Sequence, residues 1–450
     1  MSGQWEVVGK NKQKQSGQSK KLTKGEKKKF VENAPKVEDI LPLAQVKSLY
    51  TALDNNKENR KPQGKDNNAK ENEAKKTQKK QQPEKKKEVK EKPQIPKSLE
   101  MAVKMIDVKD LASELSIGKV RFQEAPLVWL KGLAEYLNLK LDHTNPVAAH
   151  KSNEYPLCVL TGEIREILKQ ALKDAGETPV QHFYHICLSS MANDMSKGTP
   201  VYGYRVMLQL MAFQNPSITT SNIPKLQSLL NSYQNRQQIG LAILTAVGQG
   251  GVKDIQVGVK VWLEVMLPLL ELRNYTSFVI GYLKDILVNS SENKQVSQEQ
   301  FFALLDVIHS ANNLPNNMKQ ELLALSPELR IRSLKTESEK HLRNYFDPLL
   351  QRLQPTASKT FKEELLTCLV SCLNSDQHCY STWRQLYTKH LPQSALLLQH
   401  IDSQWSTIKE KVTVKKLRET VCTFRVTNEE LRKGKHKDEV HLSSCQHSCE

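Results

Sequence analysis

Long apolar runs are missing from this 450-residue sequence. The longest uncharged apolar stretch, Gln237 to Val252, is broken by Gln249 and by glycines, so it cannot supply the roughly 20 apolar residues that a bilayer-spanning helix needs. No transmembrane helix is expected in the chain. The N-terminus opens Met1-Ser2-Gly3-Gln4 with no apolar core segment behind it, which argues against a cleaved secretory signal and makes synthesis into the cytosol the expectation. Cysteine is scarce, with eight irregularly spaced residues; this excludes a disulfide framework and fits free thiols in a reducing compartment. The hairpin dipeptides Asn-Gly and Asp-Gly do not occur, and strand-like alternation is missing with them.

What the chain does have is charge, unevenly placed. Its 66 Lys+Arg and 49 Asp+Glu give a net charge of +17. Residues 1–97 alone hold 26 Lys+Arg against 13 Asp+Glu, or +13, which leaves 40 against 36, or +4, for the other 353. Between Asp54 and Gln94 the only apolar side chains are Ala69, Ala74 and Val89. Such a segment cannot offset an ordering cost of about 1–2 kcal/mol per residue, so a disordered basic N-terminal tail over 1–97 is expected. Two apolar islands interrupt it: Trp5 to Val8, and Val37 to Leu53, where Leu41, Leu43, Val46, Leu49, Tyr50 and Leu53 recur with helical spacing. They read either as short linear motifs that fold onto a partner or as residual local structure.

Beyond Pro96 the chain carries repeated helix punctuation. Thr178-Pro179, Thr199-Pro200, Asn222-Ile223-Pro224 and Ser326-Pro327 place a capping residue or first-turn proline ahead of an apolar-periodic run. Ser297 to Gln300 adds a capping box before Phe301. Helix starts are expected near Leu99, Pro126, Gly162, Pro179, Pro200, Ile223, Arg236, Ile255, Tyr275, Gln298, Asn316, Glu337, Phe361, Tyr380, Pro392 and Val412. The fold class is therefore all-α. Helices of about 10–18 residues, paired with a period of roughly 40–47, predict an α-solenoid of HEAT/armadillo-like helix pairs over 98–434, followed by a disordered polar C-terminus over 435–450. A compact helical globule or two bundles is the competing architecture.

No constellation of residues demands catalysis. Cys368, Cys372, His378 and Cys379 cluster, but both helical cysteines sit among Leu365, Leu366, Leu369, Val370 and Leu373, where cysteine acts as a small hydrophobe rather than a metal ligand. His436, His441, Cys445, His447 and Cys449 match no standard zinc spacing and support adventitious metal binding at most. Gly248-Gln249-Gly250-Gly251 lacks the preceding strand and the Lys-Ser/Thr ending of a phosphate loop; it reads as termination, by a left-handed glycine, of a helix running from Gln238 to Val247. No Gly-x-Ser-x-Gly, His-Glu-x-x-His or kinase-type set occurs. The reading is no enzyme, with no catalytic, cofactor-binding or metal residues, and with the binding residues unassigned. Asn274-Tyr275-Thr276 and Asn289-Ser290-Ser291 fit the glycosylation sequon but are expected to be unmodified residues at helix ends.

The lysine clusters Lys27 to Lys29, Lys75-Lys76, Lys79-Lys80 and Lys85 to Lys87 support attraction to an anionic membrane surface, salt-sensitive binding of RNA, DNA or microtubules, or nuclear import. Aromatic residues are nearly absent around them, so the stacking platform for single-stranded nucleic acid is missing and nucleic acid is the disfavoured partner. Interspersed Glu71, Glu73, Glu84, Glu88 and Glu91 favour a solvated linker.

Several blocks resemble the transmembrane protein 214 family: Gln4 to Val8, Ser98 to Leu115, Pro126 to Leu141, Gly203-Tyr204-Arg205, Gly258 to Leu263 with Met266-Leu267-Pro268, Trp383 to Tyr387 with Lys389 to Ser394, and Leu431 to Gly434. Trp383 to Leu398 is the most specific part, because no generic helical pattern demands its order. The resemblance implies a non-enzymatic scaffold at the cytosolic face of the endoplasmic reticulum membrane, mediating stress-induced apoptosis by recruiting an initiator procaspase of the caspase-4 type. It also implies hydrophobic C-terminal anchoring segments. This chain ends at Glu450 after a polar stretch, so a truncated form, a splice variant or an incomplete gene model is expected, held at the membrane by its tail and partners. The alternative is a basic-tailed protein that binds RNA, microtubules or nuclear cargo.

Overall fold

The computed structural model describes residues 96–143, 154–289, 295–334, 342–410 and 412–433, all within one compact unit, Lys90–Glu450. The tail to Ile95 with its two apolar islands and lysine clusters, the helix start near Glu337, and the His436 to Cys449 group lie outside the described residues. Every regular element among those described is helical.

The first third comprises α1 (Leu99–Lys104), α2 (Val108–Arg121), α3 (Pro126–Lys140), α4 (Gly162–Ala175), α5 (Glu177–Lys197) and α6 (Tyr202–Gln214). Next come α7 (Ile223–Tyr233), α8 (Gln237–Lys253), α9 (Ile255–Val261), α10 (Thr276–Asn289), α11 (Gln298–Ser310), α12 (Asn316–Leu323) and α13 (Ser326–Leu334). The last part holds α14 (Leu342–Arg352), α15 (Lys359–Ser375), α16 (His378–Leu386), α17 (Leu391–Ser403), α18 (Trp405–Ile408) and α19 (Val414–Lys433). Short 3-10 turns fill several joints, and one π turn, Trp262–Met266, continues α9.

Polar caps set many of these ends, Asn222 and Ser297 as the sequence predicts. Thr161, Asn222 and Ser358 accept backbone N–H groups at the starts of α4, α7 and α15, and Ser297 and Gln300 form both halves of the capping box on α11. Gly198, at φ 74°, stops α5. Two elements differ from the expectation of a single helix opening at Leu99 and of a last helix opening near Val412. Asp107 adopts an extended backbone and caps Lys109 N–H, dividing the first segment into α1 and α2. The four-residue α18 precedes α19. Only Leu111 is buried on α2, too weak a stripe to announce a helix by period.

One expectation is overturned. Gly248, Gly250 and Gly251 do not end a helix; they lie inside α8, which continues to Lys253. Asp254 ends it by turning extended and capping the next helix, its Oδ1 accepting from Gln256 and Val257 N–H groups. The glycines serve close packing. A Cβ on Gly251 would stand 2.7 Å from Gly258 Cα and 2.2 Å from the Tyr282 hydroxyl, and one on Gly250 would stand 2.8 Å from Pro216 O. Helix interiors tolerate glycine where the backbone must approach a neighbour this closely.

The core is continuous from Leu99 to Phe424. Among the described residues, extensive contacts join each helix to others no more than three helices away along the chain: α3 with α6, α8 with α9, α14 with α15, and α16 with α19.

Candidate functional site

The cysteines of the Cys368 to Cys379 cluster lie in the core, while His378 is exposed. Cys368, Cys372 and Cys379 are buried, and burial raises the pKa of each thiol, that of Cys379 to about 12. Among the described residues no group of three or more His, Cys, Asp or Glu is placed to hold a metal ion. Because the thiolate is the reactive form, iodoacetamide should label exposed Cys158 and Cys422 in the native protein. Buried Cys187, Cys368, Cys372 and Cys379 should react on the order of a hundredfold more slowly, waiting for local opening. Peptide mass spectrometry with and without denaturant checks this.

Where the helices leave space, a cleft of about 240 Å³ lies between α8 and α10. Its α8 wall is Thr245, Gly248, Gln249 and Val252; its α10 wall is Phe278, Gly281, Tyr282, Asp285 and Asn289. These spacings put one stripe of each helix on the cleft. Tyr282 forms the floor: its ring packs on Gly248, and its hydroxyl donates to Gly248 O at 3.0 Å. Burial raises the pKa of that phenol, so it stays protonated and donating. Gln249 is held from the side by Gln209, whose Nε2 donates to its Oε1 at 2.9 Å. Desolvation also raises the pKa of the Asp285 carboxyl, with Lys284 opposing. None of this was legible from local sequence, since the walls are about 30 residues apart in the chain. The one signal was Gly281, an apolar-helix glycine without a neighbouring turn residue. A smaller cleft of about 190 Å³ between α2 and α3 is bordered by exposed Ile117, Phe122 and Val128.

A family model described as "TMEM214, C-terminal, caspase 4 activator" matches residues 2–450. Transmembrane protein 214-B of Xenopus laevis is 36% identical over 364 residues, covering 78% of this chain and 53% of the relative. The human and rat transmembrane protein 214 are 35% and 36% identical over 362 residues, each again covering 78% of this chain. The chain belongs to the transmembrane protein 214 family. It spans about half the length of these relatives. No solved structure matches it. The relatives are named transmembrane proteins, while no described helix of this chain is long and apolar enough to cross a membrane.

Several of the blocks that carry the resemblance to the transmembrane protein 214 family are, among the described residues, joints between helices; Gln4 to Val8 lies outside those residues. Gly203 lets α6 cross α3 closely: a Cβ there would stand 2.4 Å from Ala134 O and 2.6 Å from Asn138 N. Asn138 Oδ1 then accepts the Tyr204 N–H at 3.1 Å. Gly258 meets Gly251, and Trp262 donates from Nε1 to Val279 O at 2.9 Å. In the Trp383 to Tyr387 block, Trp383 Nε1 donates to Ser394 Oγ, Arg384 Nη1 to Thr420 Oγ1, and the Tyr387 hydroxyl to Asn428 Oδ1. The ring of Tyr387 stacks on Phe424 at 3.8 Å. The order of residues that no helical period explains is thus dictated by α16 locking α17 and α19 together.

Proposed function

We infer that this chain is a non-enzymatic scaffold at the cytosolic face of the endoplasmic reticulum, recruiting a procaspase of the caspase-4 type to that membrane during stress-induced apoptosis. The observation that carries this reading is the family match over residues 2–450, whose description couples the family to caspase 4 activation. The architecture supports it. Helices that contact mainly their near neighbours along the chain suit an α-solenoid of HEAT/armadillo-like pairs, which presents extended surface for proteins. A recruiter needs no catalytic residue, because confining zymogens to one surface raises their effective concentration. Procaspase co-fractionating with reticulum membranes should rise several-fold when the full chain is present. Unchanged recruitment overturns the reading.

The +13 of residues 1–97 favours a second reading, a basic-tailed binder of RNA, microtubules or nuclear cargo. Binding that falls steeply with salt and disappears when the chain is shortened to begin at Ser98 would favour it over the first.

A further inference from the structure

Two features of the cleft between α8 and α10 are left unexplained by packing. Gly281 is an interior helical glycine, which costs about 1 kcal/mol relative to alanine, yet a Cβ at this position would meet nothing within 4 Å. Gly248 and Gly251 are needed for close approach; Gly281 is not. What its missing side chain does is leave the α10 wall open. The second feature is Asp285, the one ionisable carboxylate on the lining. It is exposed at the edge of the cleft, and no hydrogen bond or ion pair to a described residue engages it.

We propose that this cleft receives a lysine or arginine side chain from an extended segment of a partner protein. The α10 stripe from Phe278 to Asn289 runs about 16 Å at 1.5 Å per residue, apolar at one end and polar at the other. The partner's methylene stem lies along Phe278, Tyr282 and Ile286, and its cationic head reaches Asp285, the division of labour that long basic side chains make with water elsewhere. Asn289 supplies a neutral acceptor beside the carboxylate. An apolar side chain would leave the carboxylate without a partner, and an acidic one would repel it. At about 240 Å³ the cleft is too small to seat a helix of about 10–12 Å diameter. The assignment rests on the scaffold reading only in that a partner segment is the occupant.

The test uses the full chain and an immobilised library of ten-residue Ala/Ser peptides with one variable central position. Peptides with Lys or Arg there should bind about tenfold more tightly than those with Met, Gln or Glu, a difference of about 1.4 kcal/mol. Asp285→Asn should collapse that preference to below about twofold, as expected when a charge-assisted contact becomes neutral. Gly281→Leu, which fills the cleft, should abolish binding of all peptides. If that variant does not fold, Asp285→Asn, an exposed substitution, decides alone. A library bound without preference, or a Lys/Arg preference that survives Asp285→Asn, overturns the proposal. So does a concentration-dependent doubling of mass lost in Asp285→Asn, which would make a second copy the occupant. The peptides report on the cleft alone, so their failure leaves procaspase recruitment to membranes to be judged separately.

Discussion

Trp383→Ala should lower the stability of the helical body by about 3–5 kcal/mol, the usual cost of truncating a fully buried tryptophan. Trp383 is completely buried and packs on Phe346 and, edge to face at 5.2 Å, on Phe424. Removing it opens a cavity where α14, α16 and α19 meet and leaves the buried Ser394 hydroxyl without its donor. Trp383→Phe separates the two contributions. It retains most of the ring contact while forfeiting the hydrogen bond, and should cost about 1–3 kcal/mol for the unsatisfied hydroxyl together with lost volume. Thermal melts followed by far-ultraviolet circular dichroism should place the midpoints in the order wild type, Trp383→Phe, Trp383→Ala. An alanine variant melting with the wild type would show that this block does not clamp the C-terminal helices.

Two glycines near the same cleft should respond to alanine with opposite signs. Gly251→Ala puts a methyl 2.7 Å from Gly258 Cα and 2.2 Å from the Tyr282 hydroxyl. The first of these is backbone and cannot swing away, so α8 and α9 must separate, at a cost of about 1–3 kcal/mol or more. Gly281→Ala meets nothing within 4 Å and should gain about 1 kcal/mol from helix propensity. The readout is the thermal midpoint, lowered for Gly251→Ala and raised for Gly281→Ala. If both variants are destabilised, Gly281 has a packing role and the open wall of the cleft needs another cause.

These contrasts show how far residue patterns reach. Capping is local chemistry, so Asn222 and Ser297 announced their helices correctly, whereas Thr178 and Thr199 do not cap α5 and α6, whose N-caps are Gly176 and Val201. The burial of Cys368 and Cys372 was equally legible, since both lie on the apolar stripe of α15. The division of the Leu99 segment was not, because α2 buries a single leucine and its boundary depends on the backbone at Asp107. The glycine run of α8 misled for a general reason: in a sequence, glycine signals a helix end far more often than a close helix crossing. The residues that distinguish the two cases, Gly258 and Tyr282, lie 7 and 31 positions beyond Gly251.

By itself the sequence determined that the described body is helical, where most of its helices begin, and that Cys368 and Cys372 are core, because each depends on neighbours within a turn or two. It also carried the family resemblance in blocks whose purpose it did not reveal. Only the tertiary structure decided that several of those blocks are joints, that Gly203, Gly248, Gly250, Gly251 and Gly258 serve close packing, and that Gly281 and Asp285 face one cleft. The physical reason is distance along the chain: helix identity is a matter of local periodicity, whereas a joint or a cleft exists only once helices tens of residues apart have been packed together.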